Sequence, residues 1–315
     1  MKEKKYYLGV DGGGTKTEFV LTDESGTVLR RLLKKGSNPN DIGLDACAAL
    51  LREGISQTIN GYSAANTYVF AGISGAGVGD NAKILRDRLA EEYPLIEVGS
   101  DLINALEVSL RGKDGVAVIC GTGISCSICE DGIRRTVGGY GYLFEDGGSG
   151  YAYGRDAVKA ALRFEDGIGE ETVLTAYFRE IYENGVKAAL GEILLGGKAL
   201  VASFCPLVFK GYEAKDAACA AIVQDNLSYT VQLIRSALKL RVGKGKRIAF
   251  VGGVTNETIF RETMVAEFGR THELAFSTHK PIYGAVRKAV ALAGGSADGR
   301  FEENFEKTVK GTKLC

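Results

Sequence analysis

The chain has 315 residues, room for about two domains. Its 45% hydrophobic and 25% charged residues exclude a disordered, collagenous or coiled-coil protein. Lys and Arg together number 39, the same as Asp and Glu, and no basic block occurs, which argues against nucleic acid or a membrane surface as partner.

The N-terminus is basic, but its apolar run is too short for a signal peptide, and no stretch approaches the apolar length of a membrane helix. Seven cysteines without regular spacing fit free thiols in a reducing, cytoplasmic setting. Glycine is the outlier: 43 against 4 prolines, with 20 of the 43 inside 9–14, 72–79 and 112–154. Glycine is kept where a chain bends sharply or lies close to a ligand.

Residues 6–10 read as a strand running into Asp11-Gly12-Gly13-Gly14-Thr15-Lys16. The alternation over 17–22 predicts a second strand, 23–26 a turn and 27–34 a third strand. Helical spacing follows over 41–59, a strand over 67–73, a helix over 81–93, a strand over 95–98 and a helix over 101–110. The order is βββαβαβα, and then the pattern restarts. Residues 115–120 predict a strand ending in Gly121-Thr122-Gly123, followed by strands over 125–129 and 133–137. A glycine-dense loop at 138–150 leads into a helix over 151–163, and 170–240 is almost wholly helical. A strand over 247–251 ends in Gly252-Gly253, before a helix at 257–268, a short strand at 274–276 and a helix at 281–293. Each half opens on a hairpin with a glycine-threonine turn, an architectural repeat.

Both glycine turns join two strands of a hairpin. A Walker loop or a Rossmann fingerprint would open a helix instead, so both are excluded. Two such hairpins facing one another would aim two sets of backbone N–H groups at one anion, which suits a phosphate chain. Cys126 and Cys129 form the one C-x-x-C, on an alternating strand where positions three apart face opposite sides. The two histidines, His272 and His279, have no partners that suggest a zinc site.

The chain resembles the N-acetylglucosamine-kinase / BadF/BadG/BcrA/BcrD ATPase family. The segments carrying this are Gly9–Lys16, Gly36-Ser37-Asn38, Ala71–Gly77, Ser100–Ala105, Gly121–Gly123, Gly138–Gly141, Glu145–Tyr151 and Gly252-Gly253-Val254, in family order. The resemblance implies a duplicated α/β fold of the actin-like ATPase (ribonuclease H-like) class. It implies an N-terminal lobe of 1–112 completed by about 296–315, and a C-terminal lobe of 113–295, with ATP and Mg²⁺ in the cleft and sugar between the lobes. It implies an ATP-dependent kinase acting on an amino sugar or N-acetylated hexosamine.

The residue roles it implies are as follows. Asp11 holds Mg²⁺ through water. Gly12, Gly13, Gly14, Thr15 and Lys16 meet the terminal phosphates, with Gly121, Thr122 and Gly123 as the second phosphate loop. Gly252 and Gly253 lie against the adenosine. Asp101 is the catalytic base, and Asn38, Gly139, Tyr140 and Asp146 meet the sugar. The helical insert offers a surface for a possible homodimer. Relatives usually read Gly-Asp-Glu-Gly-Ser where this chain reads Glu145-Asp146-Gly147-Gly148-Ser149. Two other readings stand beside the kinase: an ATPase activator of an acyl-CoA dehydratase or reductase, which needs cluster-binding cysteines, and a non-catalytic sugar or nucleotide sensor.

Overall fold

The computed structural model describes residues 4–243, 245–277 and 279–314. Cys315, read from sequence as a tail residue, lies outside them. In chain order the elements begin with β1 (Tyr6–Gly12), β2 (Lys16–Thr22) and β3 (Val28–Lys35). Helices α1 (Pro39–Ile42) and α2 (Leu44–Ile59), β4 (Thr67–Ile73), α3 (Asn81–Leu89), β5 (Ile96–Gly99) and α4 (Asp101–Leu110) follow. The second series opens with β6 (Gly115–Cys120), β7 (Ile124–Glu130) and β8 (Ile133–Gly138). Next come α5 (Gly150–Glu165), α6 (Leu174–Ile181), α7 (Gly185–Ala188), α8 (Leu190–Ser203), α9 (Cys205–Glu213) and α10 (Ala217–Lys239). The chain ends through β9 (Arg247–Val251), α11 (Thr258–Phe268), β10 (Glu273–Phe276), α12 (Pro281–Leu292) and α13 (Gly299–Val309).

Two compact units result: residues 1–112 with 279–315, and residues 113–278. The sheet of the first has the order β3-β2-β1-β4-β5 and that of the second β10-β9-β6-β7-β8. Read from the hairpin outward the two orders are the same. In each, the first strand pairs antiparallel with the second and parallel with the strand that follows the first long connection. The repeat expected from sequence is therefore a repeat of topology.

Strand periodicity explains how the first sheet is covered on both faces. On β1, Leu8 and Val10 join the cluster built with Leu51 and Ile55 of α2 and Leu85 of α3. Tyr7 points the other way, with Val20 and Phe70, into a cluster with Tyr283 and Val286 of α12 and Phe301 and Phe305 of α13. In the second unit, Val116, Val118 and Cys120 of β6 enter one large core with side chains of α5, α9, α10 and α11.

Three expectations change. The helix predicted over 41–59 is broken at Gly43, whose φ of +83° gives α1 its own end. The insert is almost wholly helical, as expected, running as α6 to α10 with a non-helical residue at Gly197 inside α8. The helix at the end of the expected C-terminal lobe, α12, packs in the first unit instead. A side chain at Gly284 of α12 would overlap the Asn104 carbonyl of α4, so this close packing needs glycine. The boundary near 295 therefore moves to 278. The tail also holds a helix, α13, capped by Asp298, that the sequence reading left as a tail.

Candidate functional site

In the first unit the turn after β1 is held from outside by its carbonyls. Ser74 N donates to Gly12 O at 2.7 Å and Ser37 N to Gly13 O at 3.0 Å. Gly13 N closes the turn onto Lys16 O at 2.8 Å. The amides of Gly14 and Thr15 make no backbone hydrogen bond among the described residues, and both residues are exposed. Carbonyls are thus turned inward and two amides are left for an anion.

Asp11 sits at the end of β1. Its Oδ1 accepts from the amide of the fully buried Asn104 at 2.8 Å, and the same amide nitrogen reaches Val10 O at 3.3 Å and Gly72 O at 3.4 Å. Burial pushes the Asp11 carboxyl up to about 6. The Asn104 bond and nearby Lys16 pull against that rise, and the negative charges of Asp101 and Glu18 add to it.

Asn104 lies three residues beyond Asp101 on α4, so both come from one helix face. Asp101 follows the cap Ser100, whose hydroxyl accepts from Leu102 N at 3.2 Å. Asp101 Oδ1 accepts from Leu102 N at 2.9 Å and from the Ser100 hydroxyl at 3.1 Å, leaving Oδ2 out of both bonds. Burial raises this carboxyl as well, with those bonds working against it. Asp101 is thus part of the helix cap and a carboxylate inclined to take a proton. Asn38 caps α1, its Oδ1 accepting from Asn40 N at 3.0 Å. The same oxygen lies where a side chain at Gly75 would be, which brings the 36–38 and 72–77 loops together.

In the second unit the turn after β6 is tighter. Gly121 N bonds Gly123 O at 2.9 Å, and the start of α5 holds the outer carbonyls, Gly150 N to Gly121 O at 2.8 Å and Tyr151 N to Thr122 O at 3.2 Å. The amides of Thr122 and Gly123 make no backbone hydrogen bond among the described residues. Beside this turn opens a cavity of about 470 Å³ lined by Gly121, Thr122, Gly253, Val254, Cys205 and Glu257, among others. Gly121 and Thr122 of the sequence-predicted second phosphate loop and Gly253 of the glycine pair therefore meet around one space.

The two glycines of the pair differ. Gly252 has φ +119°, and a side chain there would overlap the Cys120 carbonyl. Nothing lies within 4 Å of a side chain built at Gly253, which faces open space. Gly252 is kept for the fit of β9 to β6, whereas no packing within the second unit requires glycine at 253.

The loop after β8 contains the other predicted residues. Gly139 takes φ +79°. The Tyr140 ring is 68% exposed while its amide donates to Glu145 Oε1 at 2.7 Å. Glu145 is buried and its other oxygen accepts from the Tyr229 hydroxyl at 2.6 Å. Asp146 is exposed, and its backbone carbonyl accepts from Arg155 at 3.0 Å. The unusual acid at 145 is thus an internal tie for the loop, and Asp146 is the acid it presents to solvent. Gly139, Tyr140 and Asp146 do not line the cavity beside Gly121.

Sequence reasoning missed Asn104, Glu145 and Glu257 as site residues. The first two stood inside the quoted motifs, and only burial shows what they do. Cys126 is fully buried, and burial pushes its thiol up to about 12. A side chain so placed is core, which removes the C-x-x-C from the activator reading.

The chain matches the model of the BadF/BadG/BcrA/BcrD ATPase family over residues 8–289. It is 29% identical over 283 residues to an N-acetyl-D-glucosamine kinase of Dictyostelium discoideum, covering 84% of this chain and 88% of that protein. It is 28% identical over 268 residues to an N-acetylmuramic acid/N-acetylglucosamine kinase of Clostridium acetobutylicum, covering 80% and 86%. A solved chain from Chromobacterium violaceum superposes with a TM-score of 0.74 at 21% identity over 90% of this chain and 98% of that one. A ROK family glucokinase from Streptomyces griseus in complex with glucose and AMPPNP gives 0.60 at 17% over 92% and 100%. These last two likenesses carry the fold, an actin-like ATPase architecture. With the match spanning both hairpins and their glycine turns, the chain belongs to the BadF/BadG/BcrA/BcrD ATPase family.

Proposed function

We propose that the protein is an ATP-dependent kinase that phosphorylates a hydroxyl of an amino sugar or N-acetylated hexosamine. The observation that carries this reading is the Asn104 tie in the first unit. One helix begins with a half-buried carboxylate suited to act as base, and one turn later steadies the carboxylate beside the first turn. The names of the sugar-kinase relatives support it.

In this reading Asp101 Oδ2 takes the proton of the acceptor hydroxyl. The sugar oxygen forms its bond to the γ-phosphorus, the bond from that phosphorus to the bridging oxygen breaks, and ADP leaves. Such a step relies mainly on positioning and charge neutralisation, and the base adds about 10²–10⁴ in rate. The free amides of Gly14 and Thr15, and of Thr122 and Gly123, serve phosphate oxygens, with Gly12, Gly13, Lys16 and Gly121 shaping or flanking those turns. The cavity volume, the free amides of Thr122 and Gly123 beside it and the bare face of Gly253 fit a nucleotide.

Mg²⁺, when bound, neutralises phosphate charge. Asp11 would hold it through water. Among the described residues no group of three or more His, Cys, Asp or Glu side chains could hold a metal ion, so the phosphates would supply most of its ligands. Asn38, Asp146 and the 139–140 backbone orient neutral sugar hydroxyls. Free cysteines fit a cytoplasmic enzyme, and the exposed Leu194 and Leu195 of α8 would suit a homodimer contact.

The test is coupled ADP release over amino sugars, N-acetylated hexosamines and plain hexoses. The amino or N-acetylated sugars should stimulate it most; if no sugar lifts release above the basal rate, the reading fails.

A further inference from the structure

Glu257 is the residue before α11, with extended backbone, and its side chain does not cap the helix. Its carboxylate makes no hydrogen bond and no ion pair among the described residues. The nearest cation along the chain, Arg261, is engaged elsewhere, with Thr255 O and Asn256 Oδ1. Yet Glu257 is half-buried and lines the cavity that holds Gly121, Thr122 and Gly253. A half-buried carboxylate without a protein partner keeps its acceptor oxygens free for a donor that enters the cavity.

Its place within the cavity narrows what that group is. Glu257 also lines a neighbouring cavity of about 240 Å³, between Tyr212 of α9 and Glu262 of α11, which touches no part of the phosphate turn. It therefore stands at the end away from Gly121 and Thr122. A nucleotide whose phosphates lie on that turn reaches the far end with its base. Burial is the main cause that raises the thiol of Cys205, another lining residue, and the negative charge of Glu257 adds to it. Burial and the nearby Glu213 raise its own carboxyl.

We propose that Glu257 sets nucleotide choice by accepting a hydrogen bond from the exocyclic amine of adenine. This deepens the kinase reading and rests on it. A 6-oxo purine presents an acceptor at that position, which a carboxylate repels. A hydrogen bond to a charged group, lost and replaced by repulsion, corresponds to roughly a tenfold or larger difference in affinity.

The test is calorimetric binding of ADP, inosine diphosphate and 2′-deoxy-ADP to the wild-type protein, Glu257→Gln and Glu257→Ala, with the unliganded melting temperature as a check on folding. The wild type should prefer ADP over inosine diphosphate at least about tenfold. Glu257→Gln, whose amide can donate to a 6-oxo group, should bring that ratio near one at an unchanged melting temperature. The deoxy analogue should follow ADP. An unchanged ratio in both variants overturns the inference while leaving the kinase reading standing. So does an affinity for 2′-deoxy-ADP that drops with inosine diphosphate, which would put the carboxylate on the ribose. If the wild type binds no nucleotide at millimolar concentration, both readings fail together.

Discussion

Following β1 to its turn, the chain meets a carboxylate, Asp11, before the glycines; following β6 to its turn, it meets Ile119 and Cys120. The sheets around these positions have the same strand order, and both turns leave two amides without backbone partners. Yet the first turn is bordered by charge, from Asp11, Lys16 and the nearby Asp101. The second is bordered by a fully buried cysteine whose thiol is pushed well up by its surroundings, and by a mainly apolar cavity wall whose one charged side chain is Glu257. The lesson is one of division of labour. Backbone geometry, which a duplicated topology copies without regard to side chains, supplies anion-binding amides twice. On the kinase reading proposed above, side chains next to each copy then assign proton and metal chemistry to one and the shape of a nucleoside to the other.

That contrast can be broken first at the base. Asp101→Asn should still bind nucleotide and sugar but lose about 10²–10⁴ in turnover, read by steady-state kinetics beside calorimetric binding. Unchanged turnover would take proton chemistry out of the first unit.

The paired glycines of the second unit sharpen it next. Gly252→Ala must place a side chain at positive φ against the Cys120 carbonyl, and should destabilise by about 1–3 kcal/mol or more in denaturant unfolding. Gly253→Ala, built into open space, should leave stability within about 0.5 kcal/mol and weaken nucleotide binding instead. Equal effects from the two would mean that both are merely structural.

The last effect is electrostatic. Asp11 has a folded-state carboxyl raised from an ordinary 3.8 to about 6. Between those values the folded chain holds a proton that the unfolded chain has released, so stability falls as pH rises through this window. Without nucleotide or metal, Asp11→Asn should therefore match the wild type near pH 4 and exceed it above pH 6, by at most about 3 kcal/mol. Urea unfolding at both pH values checks this. No such pH dependence is expected at the turn after β6, where Cys120 stays protonated.

The hairpins, both glycine turns and the helix opening on Asp101 were legible because each leaves a local mark: alternation, a run of glycines, a cap. What was not legible depends on distant partners. The assignment of α12 to the second lobe followed chain adjacency, whereas Gly284 makes sense only against the Asn104 carbonyl of α4. Helix α13 shows a cap at Asp298 and two phenylalanines one turn apart, but 301 and 305 gain meaning only as the cover over Tyr7 and Phe70. In the site, Glu145 was visible as an oddity, and only its burial against Tyr229 and the Tyr140 amide explains it. Glu257 left no mark, because its one distinguishing property is to have no partner.

The first unit is interrupted by the second. Its sheet is complete once residue 99 has been made, but one apolar face, with Tyr7, Val20 and Phe70, is covered by side chains from residues 282–305. The second unit, residues 113–278, is continuous and emerges whole before that cover exists. During synthesis the unit that holds Asp101 and Asp11 is begun first and finished last. Its bare sheet face is exposed for the time needed to translate some 170 further residues, roughly 10–30 seconds at ordinary elongation rates. The same arrangement makes the unit that carries Asp11 and Asp101 dependent on the last stretch of chain, so a product ending near residue 278 would keep the second unit and its cavity but leave the first sheet uncovered.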